Sequence, residues 1–179
     1  MNRIHLPSWS ASSGTSRKPQ ATETATRSGA PQASAPRYQL FAPLHYEPNY
    51  SYPLIVWLHG PDDNDRQLQQ VMPQISLRNY VGIGPRGTCR THDDSPFFRW
   101  GASEASLFAA EDAVFACVDI ATQRMNINPD RIFLAGLGCG GTMAFRVGLR
   151  HPRQFAGVLS IGGAFPTGGS RIDAAVGAV

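Results

Sequence analysis

Apolar and polar positions alternate along the chain in a pattern that predicts strands and helices in turn from about Arg37 onward. The run YPLIVWLHG holds five consecutive apolar residues at 54–58, which is typical of a strand buried on both faces of a parallel sheet. Further strands are predicted in YQLFAPLHY, where Pro43 favours an edge position, in NYVGIGPRG, at 132–135 and at 155–161.

Residues at helical spacing predict three helices between these strands. The first is expected to begin after a cap at Asp63 or Asn64 and to stop at Pro73, the second to span 103–124, and the third to span 142–150. The segment TCRTHDDSPFFRWG has no periodicity and is expected to be a loop. Short connections between alternating strands and helices predict an α/β fold, an open and mostly parallel sheet with helices on both faces. After 155–161 no further element is clear, so we expect the sheet to be incomplete at its C-terminal side.

Composition divides the chain into a tail, 1–36, and a folded domain, 37–179. The tail is rich in Ser, Thr, Pro and Ala and is expected to be disordered. It carries Arg3, Arg17, Lys18 and Arg27 against Glu23, which accounts for the net charge of +3 of the whole chain. Because the remaining charges balance, the folded part has no surplus basic face for nucleic acid.

The cysteines and the apolar runs limit the class of protein further. Three cysteines without a C-x-x-C spacing suggest neither a disulfide framework nor a cysteine metal site, and they fit a reducing compartment. No apolar run is long enough to span a bilayer, and the N-terminus lacks the apolar region of a secretory signal. We therefore expect a cytoplasmic protein without a membrane span.

The segment RIFLAGLGCGGTMAFR, 131–146, leads from an apolar strand through a cluster of glycines into a helix. Gly136, Gly138 and Gly141 satisfy the G-x-G-x-x-G pattern of dinucleotide sites, but two strands precede them and the next strand ends without an acidic residue for a ribose. Gly136 and Gly140 also match the outer glycines of the nucleophile elbow G-x-S-x-G, whose centre is then Gly138, without a side chain. A corner that needs glycine only for close packing is a third interpretation, compatible with the second.

The segments YPLIVWLHGPDDN, AEDAVFACVDIATQRMNINPDRIF and RIFLAGLGCGGTMAFRVGLRHPRQFAGVLSIGGAFP resemble the carboxylesterase/phospholipase group of α/β-hydrolases, which includes the acyl-protein thioesterases. The resemblance covers most of residues 38–166. It implies an α/β-hydrolase fold and the hydrolysis of carboxylic or thio-esters by a serine nucleophile, with an acid and a histidine later in the chain and no cofactor. It also implies an oxyanion turn at His59, Gly60 and Pro61, and a second oxyanion donor in the amide of Cys139.

The chain departs from that pattern at several positions. The nucleophile position is Gly138, and Pro61 has no N–H to donate. After Gly138 the only candidates for acid and base are Asp173 and His151, and His151 ends a helix, where a cation suits the helix dipole. Cys139 is one position out of register as a replacement thiol. We therefore expect a catalytically impaired and truncated homologue, from a natural early end or a broken gene. The alternatives are a non-enzymatic module that binds an acyl group or a protein and, less favoured, a nucleotide-binding protein.

Two remaining segments bear on ligands and partners. His92, Asp93 and Asp94 lack the spacing of a metal site, so no metal is expected. Phe97, Phe98 and Trp100 are either remnants of an acyl-binding wall or ordinary packing. The strand at 156–161 is expected to leave one flank unpaired, which predicts self-association through that edge.

Overall fold

The computed structural model describes residues 36–166. The predicted tail, apart from its last residue, and Asp173 lie outside the described residues. Within the described range the elements are β1 (Tyr38–Phe41), β2 (Tyr52–Leu58), α1 (Gln67–Ile75), β3 (Val81–Pro85), β4 (Cys89–Arg90), β5 (Phe98–Arg99), α2 (Glu104–Arg124), β6 (Ile127–Leu137), α3 (Cys139–Arg150) and β7 (Gly157–Ile161).

The main sheet has the strand order β1-β3-β2-β6-β7. β2 runs parallel to β3 and β6, β7 runs parallel to β6, and β1 is antiparallel to β3 at the edge. All seven residues of β2 are buried, as the continuous apolar run predicts for a central strand. β1 ends at Phe41, before Pro43, which could not donate to the ladder.

Side chains of β2 alternate between the two faces of the sheet. Leu54, Val56 and Leu58 pack in the larger core cluster with residues of α2 and α3, whereas Ile55 and Trp57 pack in a second cluster with residues of α1. Because successive strand residues point to opposite faces, these two clusters place helices on both sides of the sheet. The predicted α/β class with a mostly parallel sheet is thus confirmed.

The predicted limits of α1 are wrong at both ends. The helix starts at Gln67, and its cap, Arg66, makes no side-chain capping bond. Asn64 instead accepts a hydrogen bond from the Arg66 amide at 2.9 Å within the preceding turn. At the other end the helix continues past Pro73 to Ile75, because the residues after the proline still donate backward to the preceding turn. The bond from Ser76 N to Met72 O, 2.9 Å long, closes that last turn.

Other expected boundaries also move, and β6 spans Ile127–Leu137 where the sequence predicts a strand at 132–135. α3 begins at Cys139, three residues before the predicted start, and β7 begins at Gly157, two residues after the predicted one. The segment expected to be a loop contains β4 and β5, which pair antiparallel. Strands of two residues are too short to carry a periodic pattern, so their pairing is decided by contacts rather than by local sequence. Among the helices of residues 36–166, none combines the length and apolar character that crossing a membrane requires.

Candidate functional site

The strand β6 passes into the helix α3 through a single residue, Gly138. Its backbone has φ +54° and ψ −120°, in a region that side chains avoid. The turn is fixed on both sides: Gly138 N donates to Ile161 O of β7 at 2.8 Å, and Gly138 O accepts from Thr142 N at 3.0 Å. A sharp, strained strand-to-helix turn is the backbone geometry that the nucleophile-elbow interpretation predicts.

The glycines around Gly138 are required by close packing. A Cβ at Gly136 would lie 2.5 Å from the carbonyl carbon of Gly140, and a Cβ at Gly140 would collide with the backbone oxygens of Leu58 and His59. At Gly141 it would collide with Oγ of Ser160. Backbone atoms cannot give way as the end of a side chain can, so the packing interpretation holds most firmly for Gly136 and Gly140, whereas at Gly141 the nearest backbone atom, Gly136 O, lies at 3.0 Å.

Gly138 differs from those glycines in what surrounds it. Among the described residues, a Cβ at this position would meet within 4 Å only the ring of Pro61, with Cδ at 3.0 Å and Cγ at 3.8 Å. Position 138 therefore faces Pro61, the residue that follows His59 and Gly60. The fold brings the predicted nucleophile position and the predicted oxyanion turn together.

His59 holds the turn at 59–61, the predicted oxyanion turn, from inside the protein, where its side chain is fully buried. Its Nε2 accepts a hydrogen bond from Gly87 N at 2.9 Å, and because an amide can only donate, the ring proton belongs on Nδ1. That Nδ1–H then donates to Gly60 O at 2.8 Å. Burial lowers the pKa of His59 below its ordinary value of 6.5, against smaller raising effects of the Gly60 carbonyl and nearby carboxylates. His59 is thus a neutral positioning residue.

Gln67, which the sequence analysis did not single out, is the second residue that fixes the turn. Its side-chain oxygen accepts from Trp57 Nε1 at 2.8 Å and from Gly60 N at 3.0 Å, and its nitrogen donates to Asp63 Oδ2 at 2.7 Å. One signal could have found it: an indole N–H in a buried apolar strand requires an acceptor. Because Gln67 already accepts from Gly60 N, that amide is not free to face a substrate.

The hydrogen-bond donors of the site are therefore few. Cys139 is the first residue of α3, where a backbone N–H has no acceptor within its own helix. The second predicted donor would be the amide of residue 61, which is proline. The turn thus presents a methylene where a donor would be needed.

Among the remaining predicted catalytic groups, Cys139 directly follows Gly138 in the chain, and His151 lies far from it. Cys139 packs against the larger core cluster, on the α2 and α3 side of the sheet. His151 follows the 12 residues of α3, a length of roughly 18 Å from the elbow, and its Nε2 lies 3.1 Å from Oε1 of buried Glu111. Arg150 donates to the same carboxylate oxygen at 2.7 Å. His151 thus belongs to a charged cluster at the far end of the helix.

Aromatic residues of the β4–β5 segment support the turn from outside. Trp100 is buried and donates from Nε1 to His59 O at 3.0 Å, and Phe98 is buried with its amide bound to Asp63 O at 2.7 Å. Phe97 is exposed. Trp100 and Phe98 are therefore part of the packing that holds the turn.

His92, Asp93 and Asp94 are exposed, and residues 36–166 contain no group of three potential metal ligands.

A surface groove of about 250 Å³ lies elsewhere, near the start of β2. It is lined by Leu44, His45, Glu47, Tyr50, Tyr52, Arg78 and Asn79. Because β2 and β6 run parallel, the start of β2 lies at the opposite end of the sheet from Gly138.

Comparison with known proteins identifies the fold. No family model matches the chain. A segment of 56 residues, 31% of this chain, is 39% identical to NocK of Nocardia uniformis subsp. tsuyamanensis, which is named as an esterase. The segment covers 16% of NocK.

Solved structures match over a longer range. Acetyl xylan esterase from Aspergillus awamori matches with a TM-score of 0.58 at 13% identity, over 72% of this chain and 47% of that one. SOBER1 of Arabidopsis thaliana matches with a TM-score of 0.52 at 22% identity, over 66% of this chain and 64% of that one. Esterase PE8 matches with a TM-score of 0.53 at 18% identity, over 74% of this chain and 65% of that one. The chain thus spans 47–65% of the length of these structures. Its fold is of the α/β-hydrolase type, as the sequence resemblance implied.

Proposed function

We propose that this chain is an impaired homologue of the carboxylesterase/phospholipase-type α/β-hydrolases, whose reaction is the hydrolysis of carboxylic or thio-esters. The observation that carries the proposal is the backbone of Gly138, which has the conformation and the surroundings of a nucleophile elbow without a nucleophile. The structural neighbours named as esterases support the lineage.

In such a reaction an oxygen nucleophile attacks the acyl carbon, a base takes its proton, and two N–H groups stabilise the negative carbonyl oxygen. Here residue 138 supplies no attacking atom, and residue 61 supplies no N–H. Removing a serine nucleophile costs about 10⁶-fold in rate, and removing one oxyanion donor about 10²- to 10³-fold, where each has been tested. The loss of the nucleophile removes most of the rate enhancement, and the loss of the donor lowers what remains by about a further 10²- to 10³-fold.

The test is hydrolysis of short p-nitrophenyl esters and of an acyl thioester by the purified chain. We expect rates equal to those of the buffer, and the same result for Gly138→Ser, because His151, the one described histidine after the elbow, lies at the far end of α3 and cannot serve that serine as a base. Cys139→Ala serves as the matched control. Turnover that is present in the unmodified chain and lost in Cys139→Ala would refute the proposal and assign the reaction to the thiol.

A second candidate function is a non-enzymatic module that binds an acyl group or a protein. It is favoured by the apolar side chain of Ile161, which is 47% exposed next to the elbow. Ile161 is the residue whose carbonyl oxygen accepts from Gly138 N. A medium-chain fatty acid should then raise the melting temperature, and Ile161→Ser should reduce that rise. NAD serves as the comparison ligand, because stabilisation by NAD instead would favour the nucleotide-binding alternative.

A further inference from the structure

Pro61 occupies the direction in which a backbone N–H would point. The Cδ atom of a proline is bonded to its own backbone nitrogen, in the place where other residues carry the amide hydrogen. In this chain Cδ of Pro61 is the atom closest to a Cβ built at position 138. The amide of any other residue at position 61 would therefore point toward the side chain of residue 138.

The same contact limits what position 138 can carry. A separation of 3.0 Å between a Cβ and a carbon is shorter than ordinary van der Waals contact, which begins at about 3.4 Å. The proline ring is rigid and cannot swing aside as a flexible side chain can. Its turn is held by His59 and Gln67 through the bonds to Gly60 described above.

We propose that Pro61 and Gly138 are a coupled pair, in which the proline ring fits closely over the elbow because position 138 has no side chain. The ring of Pro61 then fills the space above the elbow, and this is a second change in addition to the missing serine. A side chain can return to position 138 without loss of packing only when Pro61 is replaced. This inference concerns packing and does not depend on which reaction the chain has kept, so its failure leaves the proposed function standing.

The fold offers a matched control for the backbone conformation. Gly162 also has a positive φ, +66°, but a Cβ at Gly162 meets no described atom within 4 Å. Gly162→Ala therefore reports the cost of placing a side chain at positive φ without a contact to Pro61, whereas Gly138→Ala includes that contact, which the coupling with Pro61→Ala isolates. Alanine is preferred to serine because the conflict concerns the Cβ itself.

The experiment is a double-mutant cycle on equilibrium urea unfolding of the full chain, with Pro61→Ala, Gly138→Ala and the double variant, and the same cycle with Gly162→Ala. We expect Gly138→Ala to raise the unfolding equilibrium constant more than Gly162→Ala does. In the Gly138→Ala background, Pro61→Ala should lower the unfolding equilibrium constant by about fivefold to tenfold. In the Gly162→Ala background, Pro61→Ala should not lower it.

Two results would overturn the coupling. One is that the effects of Pro61→Ala and Gly138→Ala are additive, and the other is that both cycles give the same coupling. If Gly138→Ala does not fold with proline at position 61, recovery of cooperative unfolding in the double variant supports the coupling, and continued failure to fold contradicts it.

Discussion

Replacing Gln67 by leucine tests whether one buried amide fixes the oxyanion turn. The substitution keeps a side chain of similar size but removes the oxygen that accepts from Trp57 Nε1 and Gly60 N. Both hydrogen bonds are buried, and Gln67 itself is 8% exposed. The two N–H groups would then lie inside the protein without an acceptor.

The magnitude follows from the number of donors left unpaired. A buried polar group without its partner costs about 1–3 kcal/mol, so the loss at two donors is about 2–6 kcal/mol of the free energy of unfolding. For a domain of this size that corresponds to a fall of roughly 5–20 °C in melting temperature. Gln70→Leu is the control, because Gln70 lies on the same helix and is exposed. Its change in helix propensity is the same.

The assay is urea unfolding followed by tryptophan fluorescence, together with an ¹H–¹⁵N spectrum of the indole groups. In Gln67→Leu we expect the indole resonance of Trp57 to shift, since its N–H has lost an acceptor, and no such shift in Gln70→Leu. The reasoning is refuted if the two variants lose equal stability or if the indole resonance of Trp57 stays in place.

Three other predictions concern protonation, reactivity and assembly. Because burial lowers the pKa of His59, the unfolded chain binds a proton at higher pH than the folded chain does. The free energy of unfolding should therefore fall as the pH drops through 6.5. Urea unfolding between about pH 5 and 8 should show a shallower dependence of this free energy on pH in His59→Gln. Burial raises the pKa of Cys117 to about 12, so iodoacetamide at pH 8 should label Cys117 only after unfolding; mass spectrometry finding it labelled in the folded chain contradicts this. Leu159 and Ile161 of β7 are 57% and 47% exposed, and in the described sheet β7 is an edge strand. Light scattering should therefore detect oligomers, and Ile161→Lys should reduce their amount. A monomer at all concentrations contradicts self-association through this edge.

The elements and their arrangement were largely predictable from local sequence. The apolar run at 54–58 identified the central strand, and the alternation of strands and helices gave the α/β class that the structure confirms. The ends of α1 were not predictable, because Pro73 reads as a stop in sequence while the helix continues to Ile75 around it. β4 and β5 were missed because they exist only through pairing with each other.

The candidate site shows the same division between local and non-local information. Sequence alone located the strand-to-helix turn at Gly138 and the turn at His59 and Gly60, and it showed that residues 138 and 61 lack a nucleophile and a donor. It could not show that the ring of Pro61 faces position 138, since the two residues lie 77 positions apart in the chain and meet only because β2 pairs with β6. It also could not show that Gln67 occupies the Gly60 amide.

The physical reason is that chemistry and backbone propensity belong to single residues, whereas contacts belong to pairs. A glycine has no nucleophile and a proline has no N–H in any fold, so the sequence by itself determined which groups this chain lacks. Which atom fills the space above the elbow, and which donor is already bound, depend on sheet register and on the packing of α1, and only the tertiary structure decided them.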